Sequence, residues 1–119
     1  MNQALIVDDG ATEREQLTNI LRDAGWLVHV SANGDDALRK AKSDKPNIIF
    51  MDIVMPGMDG YQATRKLAED PETRGIPVVF VSTKNQRADQ VWARMQGGKE
   101  LISKPYSANQ ILDALKHAA

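Results

Sequence analysis

Three aspartates and a lysine sit where a chain of this pattern could use them for phosphoryl chemistry. Asp52 closes the apolar run Ile48-Ile49-Phe50-Met51 and is followed by a turn built on Pro56, Gly57 and Gly60. Asp8 and Asp9 close the shorter run Ala4-Leu5-Ile6-Val7, Ser82 and Thr83 close Val78 to Val81, and Lys104 follows Leu101-Ile102-Ser103. A carboxylate is a competent nucleophile toward a phosphoryl group. Three carboxylates brought together repel one another and raise some of their pKa values, and a hard divalent cation removes that penalty. Mg²⁺ suits the task, because it takes a few carboxylate oxygens and keeps waters that an incoming phosphate can displace. Lys104 would add a fixed positive charge, and Ser82 a hydroxyl donor, for the same phosphate oxygens. On this reading Asp52 is the acceptor, and its product is an aspartyl phosphate.

For these residues to meet, their strands must end on one edge. Ile48 to Met51 is apolar at four consecutive positions, the pattern of a strand covered on both faces in a parallel sheet. Ala4–Val7, Trp26–Val30, Pro77–Ser82 and Leu101–Ser103 are the other strand candidates. Helices are expected between them. Thr12 with Glu15 reads as a capping box ahead of the stripe Leu17, Ile20, Leu21 and Ala24, with Gly25 as the stop. Asn33-Gly34 turns the chain into a helix carrying Ala37, Leu38 and Ala41, ended before Pro46. Tyr61, Thr64, Leu67 and Ala68 mark a third helix that closes at Asp70-Pro71. Ala88, Val91, Trp92 and Met95 mark a fourth, with Trp92 expected in the core and Gly97-Gly98 as the stop. Ser107 with Gln110 caps a last helix carrying Ile111, Leu112 and Leu115. Strand and helix alternate five times, which specifies an α/β fold with a mostly parallel, doubly wound sheet. In the order 2-1-3-4-5, strands one and three are neighbours and Asp8, Asp9 and Asp52 would line one crevice.

Composition narrows the function classes. The 119 residues suit one domain spanning residues 1–119, 42% hydrophobic and 26% charged, which describes a globular chain. A formal net charge of −1 offers no broad basic field to nucleic acid. Cysteine is absent, which excludes disulfides and thiolate-held zinc and fits the cytoplasm. No run approaches the roughly 18 apolar residues of a membrane span, and none resembles a signal peptide. His29 and His117 stand alone without ligand spacing, Trp26 reads as core or partial cover, and Arg39, Lys40, Lys42 and Lys45 read as a solvated helix face.

Val7-Asp8-Asp9, Met51-Asp52-x-x-Met55-Pro56-Gly57-x-x-Gly60, Ser82-Thr83 and Lys104-Pro105 together resemble the receiver domain of bacterial two-component response regulators, over residues 3 to 118. The resemblance implies a flavodoxin-like five-stranded sheet of order 2-1-3-4-5, with Asp52 as phosphoacceptor. Asp8, Asp9, Asp52 and the backbone carbonyl of Val54 would hold Mg²⁺, Ser82 would be the switch hydroxyl, and Lys104 the phosphate-sensing lysine before a cis proline. It implies a histidine kinase or phosphotransfer domain as donor. A downstream protein would read the face built by the fourth helix, fifth strand and fifth helix. The chain is expected to be a stand-alone receiver, a signalling module rather than an enzyme, since it stops after its fifth helix. Met51-Asp-Ile-Val-Met-Pro-Gly57, Tyr61-Gln-Ala-Thr-Arg65 and Thr83-Lys-x-Gln with Asp89-Gln-Val-Trp92 further resemble receivers of chemosensory systems that control type IV pilus twitching motility.

Four departures from the receiver pattern stand out. Gly10 follows the acidic pair where a side chain is common, and Leu101 occupies a position that is usually aromatic, without Tyr106 being an obvious substitute. Val54, two places after the acceptor, has no polar atom to orient an attacking water, and Lys84 is a long cation near the same mouth, so slow loss of phosphate is expected. Three alternatives compete: a phosphate sink for a shared kinase, a Mg²⁺-dependent phosphatase, and a flavin module. Val54 lacks the second aspartate the phosphatase would want, and Asp8-Asp9 would repel a flavin phosphate.

Overall fold

The structure is a computed structural model and describes residues 2–84 and 86–119. Among these, five parallel strands, β1 (Gln3–Val7), β2 (Leu27–Ser31), β3 (Ile48–Met51), β4 (Val78–Ser82) and β5 (Glu100–Ser103), form one sheet. The strand order is β2-β1-β3-β4-β5. Between and after them run α1 (Ala11–Asp23), α2 (Gly34–Asp44), α3 (Gly60–Glu69), α4 (Arg87–Met95) and α5 (Ala108–Ala114), the last continued by a 3₁₀ turn at Leu115–His117. The doubly wound expectation therefore holds.

Side-chain alternation along the strands splits the interior in two. Leu5, Val7, Ile49, Met51 and Phe80 face α2, α3 and α4 and pack on Ala37, Ala41, Tyr61, Ala63, Leu67 and Ala93. Ala4, Ile6, Ile48, Phe50, Val79, Val81 and Ile102 face the other way and pack on Leu17, Leu21, Ile111 and Ala114 of α1 and α5. Every residue of β3 is buried, as a strand covered on both faces requires. β1 pairs with β3 so that Val7 stands opposite Met51. The residues that follow these two, Asp8 and Asp52, are thereby delivered side by side.

Local chemistry ends each helix where the sequence suggests, with exceptions. Asn33 caps α2 by accepting from the Asp36 N–H at 2.8 Å, and Lys45 in the left-handed region (φ 46°) stops it before Pro46. Ser107 and Gln110 form the expected reciprocal cap of α5. The Thr12–Glu15 box does not form. Gly10 is the N-cap of α1 and no side chain caps it. The Asp8 carboxylate takes the Gly10 N–H at 2.9 Å and turns the chain early, so that Arg14 N–H already closes on the Gly10 carbonyl. A reciprocal cap also joins Asp59 and Gln62 at the start of α3. On that helix Ala63, rather than Ala68, lies in the core. Trp26 precedes β2 instead of opening it, and half covers the α1–α5 side of the core.

The largest departure is α4. Val91, Trp92 and Met95 were expected to pack inward, yet they are 54%, 49% and 69% exposed. Small residues explain this. Ala93 is fully buried, and a Cβ on Gly98 would stand 2.4 Å from the Phe80 ring, so α4 and its exit seat closely on the sheet through their smallest positions. With Ala93 inward, Val91 and Met95 lie on the far side of a 3.6-residue helix. Trp92 makes an edge contact with Tyr61, at 6.5 Å between ring centroids.

Candidate functional site

Four strand ends and one loop build the site. The Asp52 N–H donates to the Val7 carbonyl at 2.8 Å and the Asp8 N–H to Ser31 at 3.1 Å, so the sheet ladder itself runs into both acidic residues. Asp8 and Asp52 are 2% and 8% exposed, whereas Asp9 is open to solvent. One carboxylate oxygen from each of the three lies within 4.8 Å of the others. Lys104 enters from the end of β5, its backbone N–H held by the Ser82 carbonyl at 2.7 Å. Its Nζ stands 3.0 Å from Asp8 Oδ2 and 3.8 Å from Asp52 Oδ1. The Lys104–Pro105 peptide is cis, as the resemblance implied. Ser82 is buried at the end of β4, its hydroxyl accepting from the Lys84 N–H at 3.3 Å.

These surroundings set the protonation of Asp52. Burial pushes its pKa from the usual 3.8 up to about 6, and the neighbouring Asp8 charge pushes the same way, with a smaller push from Asp9. The Lys104 ammonium and the hydrogen bond from the Ile53 N–H, 2.9 Å from Asp52 Oδ1, pull it down again. Asp52 is therefore ionised at neutral pH, but at a cost that a cation would offset. The donor set fits a hard divalent ion: three carboxylates within one ion's reach, two buried and one facing water. Val54 stands in the loop beyond β3 with its side chain 61% exposed. That loop is pinned at Gly60, where a Cβ would come within 2.1 Å of the Asp52 carbonyl oxygen.

Two residues of the site escaped the sequence reading. Arg14 Nη1 donates to the Asp8 carbonyl at 2.8 Å and ties α1 to the acidic loop. The Glu13 carboxylate lies over Gly10, where an added Cβ would be 2.0 Å from Glu13 Oε2 and 3.3 Å from Asp8 Oδ1. Gly10 is thus the position that makes room for Glu13. The available signal was their place in the first turn after the acidic pair. Glu13 also lines a cavity of about 320 Å³ with Gln16, Thr83, Lys104, Pro105 and Tyr106. The Tyr106 hydroxyl is buried with no hydrogen-bond partner among the described residues, and burial followed by the charges of Asp8 and Glu13 pushes its pKa up to about 12.

A cavity of similar volume lies away from the carboxylates, between α2 and α3, and is spanned by the 3.0 Å Lys42–Asp70 ion pair. The histidines are remote from the site, each on a single carboxylate: His29 with Asp44 at 3.5 Å and His117 with Glu100 at 2.6 Å. Arg39 and Lys40 pair with Asp36 on the exposed face of α2.

Known proteins resemble this chain in sequence and fold. Over 115 residues the chain is 44% identical to the protein PilH of Pseudomonas aeruginosa, covering 97% of this chain and 95% of that one. It is 33% identical to the protein PilG of the same organism, over 96% of this chain and 84% of that one. The solved structure of the chemotaxis protein CheY4 of Vibrio cholerae superposes with a TM-score of 0.92 at 25% identity, covering 100% of this chain and 99% of that one. Residues 4–116 match the response regulator receiver domain, and the chain belongs to that family.

Proposed function

We propose that residues 1–119 act as one receiver that takes a phosphoryl group on Asp52 with Mg²⁺ bound. The observation that carries this reading is the convergence of Asp8, Asp9 and Asp52 within 4.8 Å under the Lys104 ammonium. Asp8, Asp9, Asp52 and the Val54 carbonyl would hold the cation. When bound, it neutralises the carboxylates and the charge spread over the phosphoryl oxygens. Asp52 supplies the attacking oxygen, and its burial keeps water from competing for that lone pair. Lys104, now shared between Asp8 and Asp52, turns to the transferred phosphoryl group once Asp52 has become an acyl phosphate. Ser82, at the neighbouring strand end, donates its hydroxyl to another phosphoryl oxygen.

The donor is a histidine kinase or phosphotransfer domain, and the output is control of type IV pilus twitching motility, the role suggested by the resemblance carried by Met51–Gly57, Tyr61–Arg65 and Asp89–Trp92. Its place of action is the cytoplasm, without nucleic acid or membrane as partner. The exposed apolar row Val91, Trp92 and Met95 supports a downstream protein docking on the face of α4, β5 and α5, and favours output over a mere phosphate sink. Incubation with acetyl phosphate, followed by intact mass, tests the reading. One phosphoryl group should add to the wild type with Mg²⁺, with far less after chelation and none in Asp52→Ala. An unchanged wild-type mass would overturn it.

A further inference from the structure

The cavity beside the acceptor site has a chemistry that phosphorylation of Asp52 by itself does not use. One wall is Glu13 and Gln16 of α1, another is Thr83 just past β4, and the third is Lys104-Pro105-Tyr106 just past β5. Lys104 belongs both to this wall and to the acidic cluster, so a group seated in the cavity lies next to the phosphoryl position. Its volume of about 320 Å³ leaves ample room for a five-membered ring. Pro105 and Tyr106 offer flat apolar surface, while the buried Tyr106 hydroxyl is a donor with no partner among the described residues.

Glu13 is the group that decides which occupant. A fourth carboxylate beside Asp8 only repels a dianionic phosphoryl group carried on an acyl oxygen. A phosphohistidine differs, because its ring carries a protonated nitrogen remote from phosphorus. We propose, building on the reading of Asp52 as acceptor, that Glu13 is the specificity residue for the leaving group. In this cavity its carboxylate accepts a hydrogen bond from the ring N–H of a phosphohistidine and so favours a histidyl phosphodonor over an acyl phosphate. During transfer the Asp52 oxygen forms its bond to phosphorus as the N–P bond breaks, and the bonding pair returns to the ring nitrogen. The remote nitrogen keeps its proton, so imidazole departs neutral and the aspartyl phosphate carries the two negative charges. By accepting that N–H, the Glu13 side chain makes the protonated ring, the better leaving form, the preferred one.

The test compares two small donors, phosphoimidazole and acetyl phosphate, on the wild type, Glu13→Gln and Glu13→Asp in Mg²⁺ buffer, with initial rates read by intact mass and folding checked by circular dichroism. Glu13→Gln should slow labelling by phosphoimidazole about tenfold, the scale of a lost hydrogen bond to a charged group, while labelling by acetyl phosphate holds or rises. Glu13→Asp should keep part of the preference. Equal factors for both donors, or a ratio moving toward phosphoimidazole, would overturn the role of Glu13 and leave Asp52 as acceptor intact. Failure of both donors to label the wild type would overturn both.

Discussion

Replacing Asp52 by asparagine should make the metal-free fold more stable, and by an amount that depends on pH. Asp52 is buried, and its pKa stands at about 6 instead of 3.8. A carboxyl so raised costs the folded state on the order of 2–3 kcal/mol once it is ionised. Its proton is bound more tightly in the folded chain than in the unfolded one. The contribution is therefore fully present below the unfolded value of 3.8 and is lost as pH rises through about 6. Asparagine keeps the acceptor for the Ile53 N–H and removes the charge facing Asp8, while Lys104 retains its 3.0 Å pair with Asp8. Urea unfolding of both proteins in chelator, at pH 8 and at pH 5, reads the effect. Asp52→Asn should be more stable at pH 8 by on the order of 2–3 kcal/mol, and its advantage should shrink by about 1 kcal/mol at pH 5. Titrating groups that do not interact with Asp52 cancel in the difference. An advantage that is flat or grows as pH falls would refute the electrostatic reasoning.

The remaining predictions concern packing and the lifetime of the phosphorylated form. Gly60→Ala should destabilise by about 1–3 kcal/mol in the same assay, because a Cβ there meets the Asp52 carbonyl at 2.1 Å and backbone cannot easily yield. Trp92→Ala should cost less than about 1 kcal/mol and Phe50→Ala about 3–5 kcal/mol, reversing the usual weight of tryptophan, since Trp92 is half exposed and Phe50 is buried in full. Val54→Asn should shorten the life of the phosphorylated protein in Mg²⁺ buffer, as an exposed amide there can orient an attacking water; an unchanged decay would remove Val54 from the explanation of slow loss.

Strand positions were legible because burial on both faces leaves an unbroken apolar run, as in Ile48 to Met51, and a polar residue marks each end. The site followed from those ends, since parallel strands bring Asp8, Asp52, Ser82 and Lys104 to a common edge whatever their distance along the chain. Helix periodicity was weaker evidence. It identifies an apolar stripe on α4 but not what covers it, and the decisive residues were the small ones, Ala93 and Gly98, which carry little hydrophobic signal. The start of α1 misled for a related reason: the Asp8 side chain organises that turn, and a helix whose first turn is set from outside needs no cap at Thr12. Glu13 and Tyr106 were invisible as partners because their proximity arises from α1 and the loop after β5 meeting across the site.

Phosphoryl transfer to Asp52 with Mg²⁺ requires that three carboxylates from two strand ends behave as a single cation site. Calorimetric titration of the metal-free protein with Mg²⁺ at pH 8 measures this directly, with Asp9→Ala as the solvent-facing control and Asp52→Asn as the buried one. One ion should bind per wild-type chain, and binding should be strongly weakened in both variants. Heats equal to dilution in the wild type, or uptake untouched by either substitution, would contradict it.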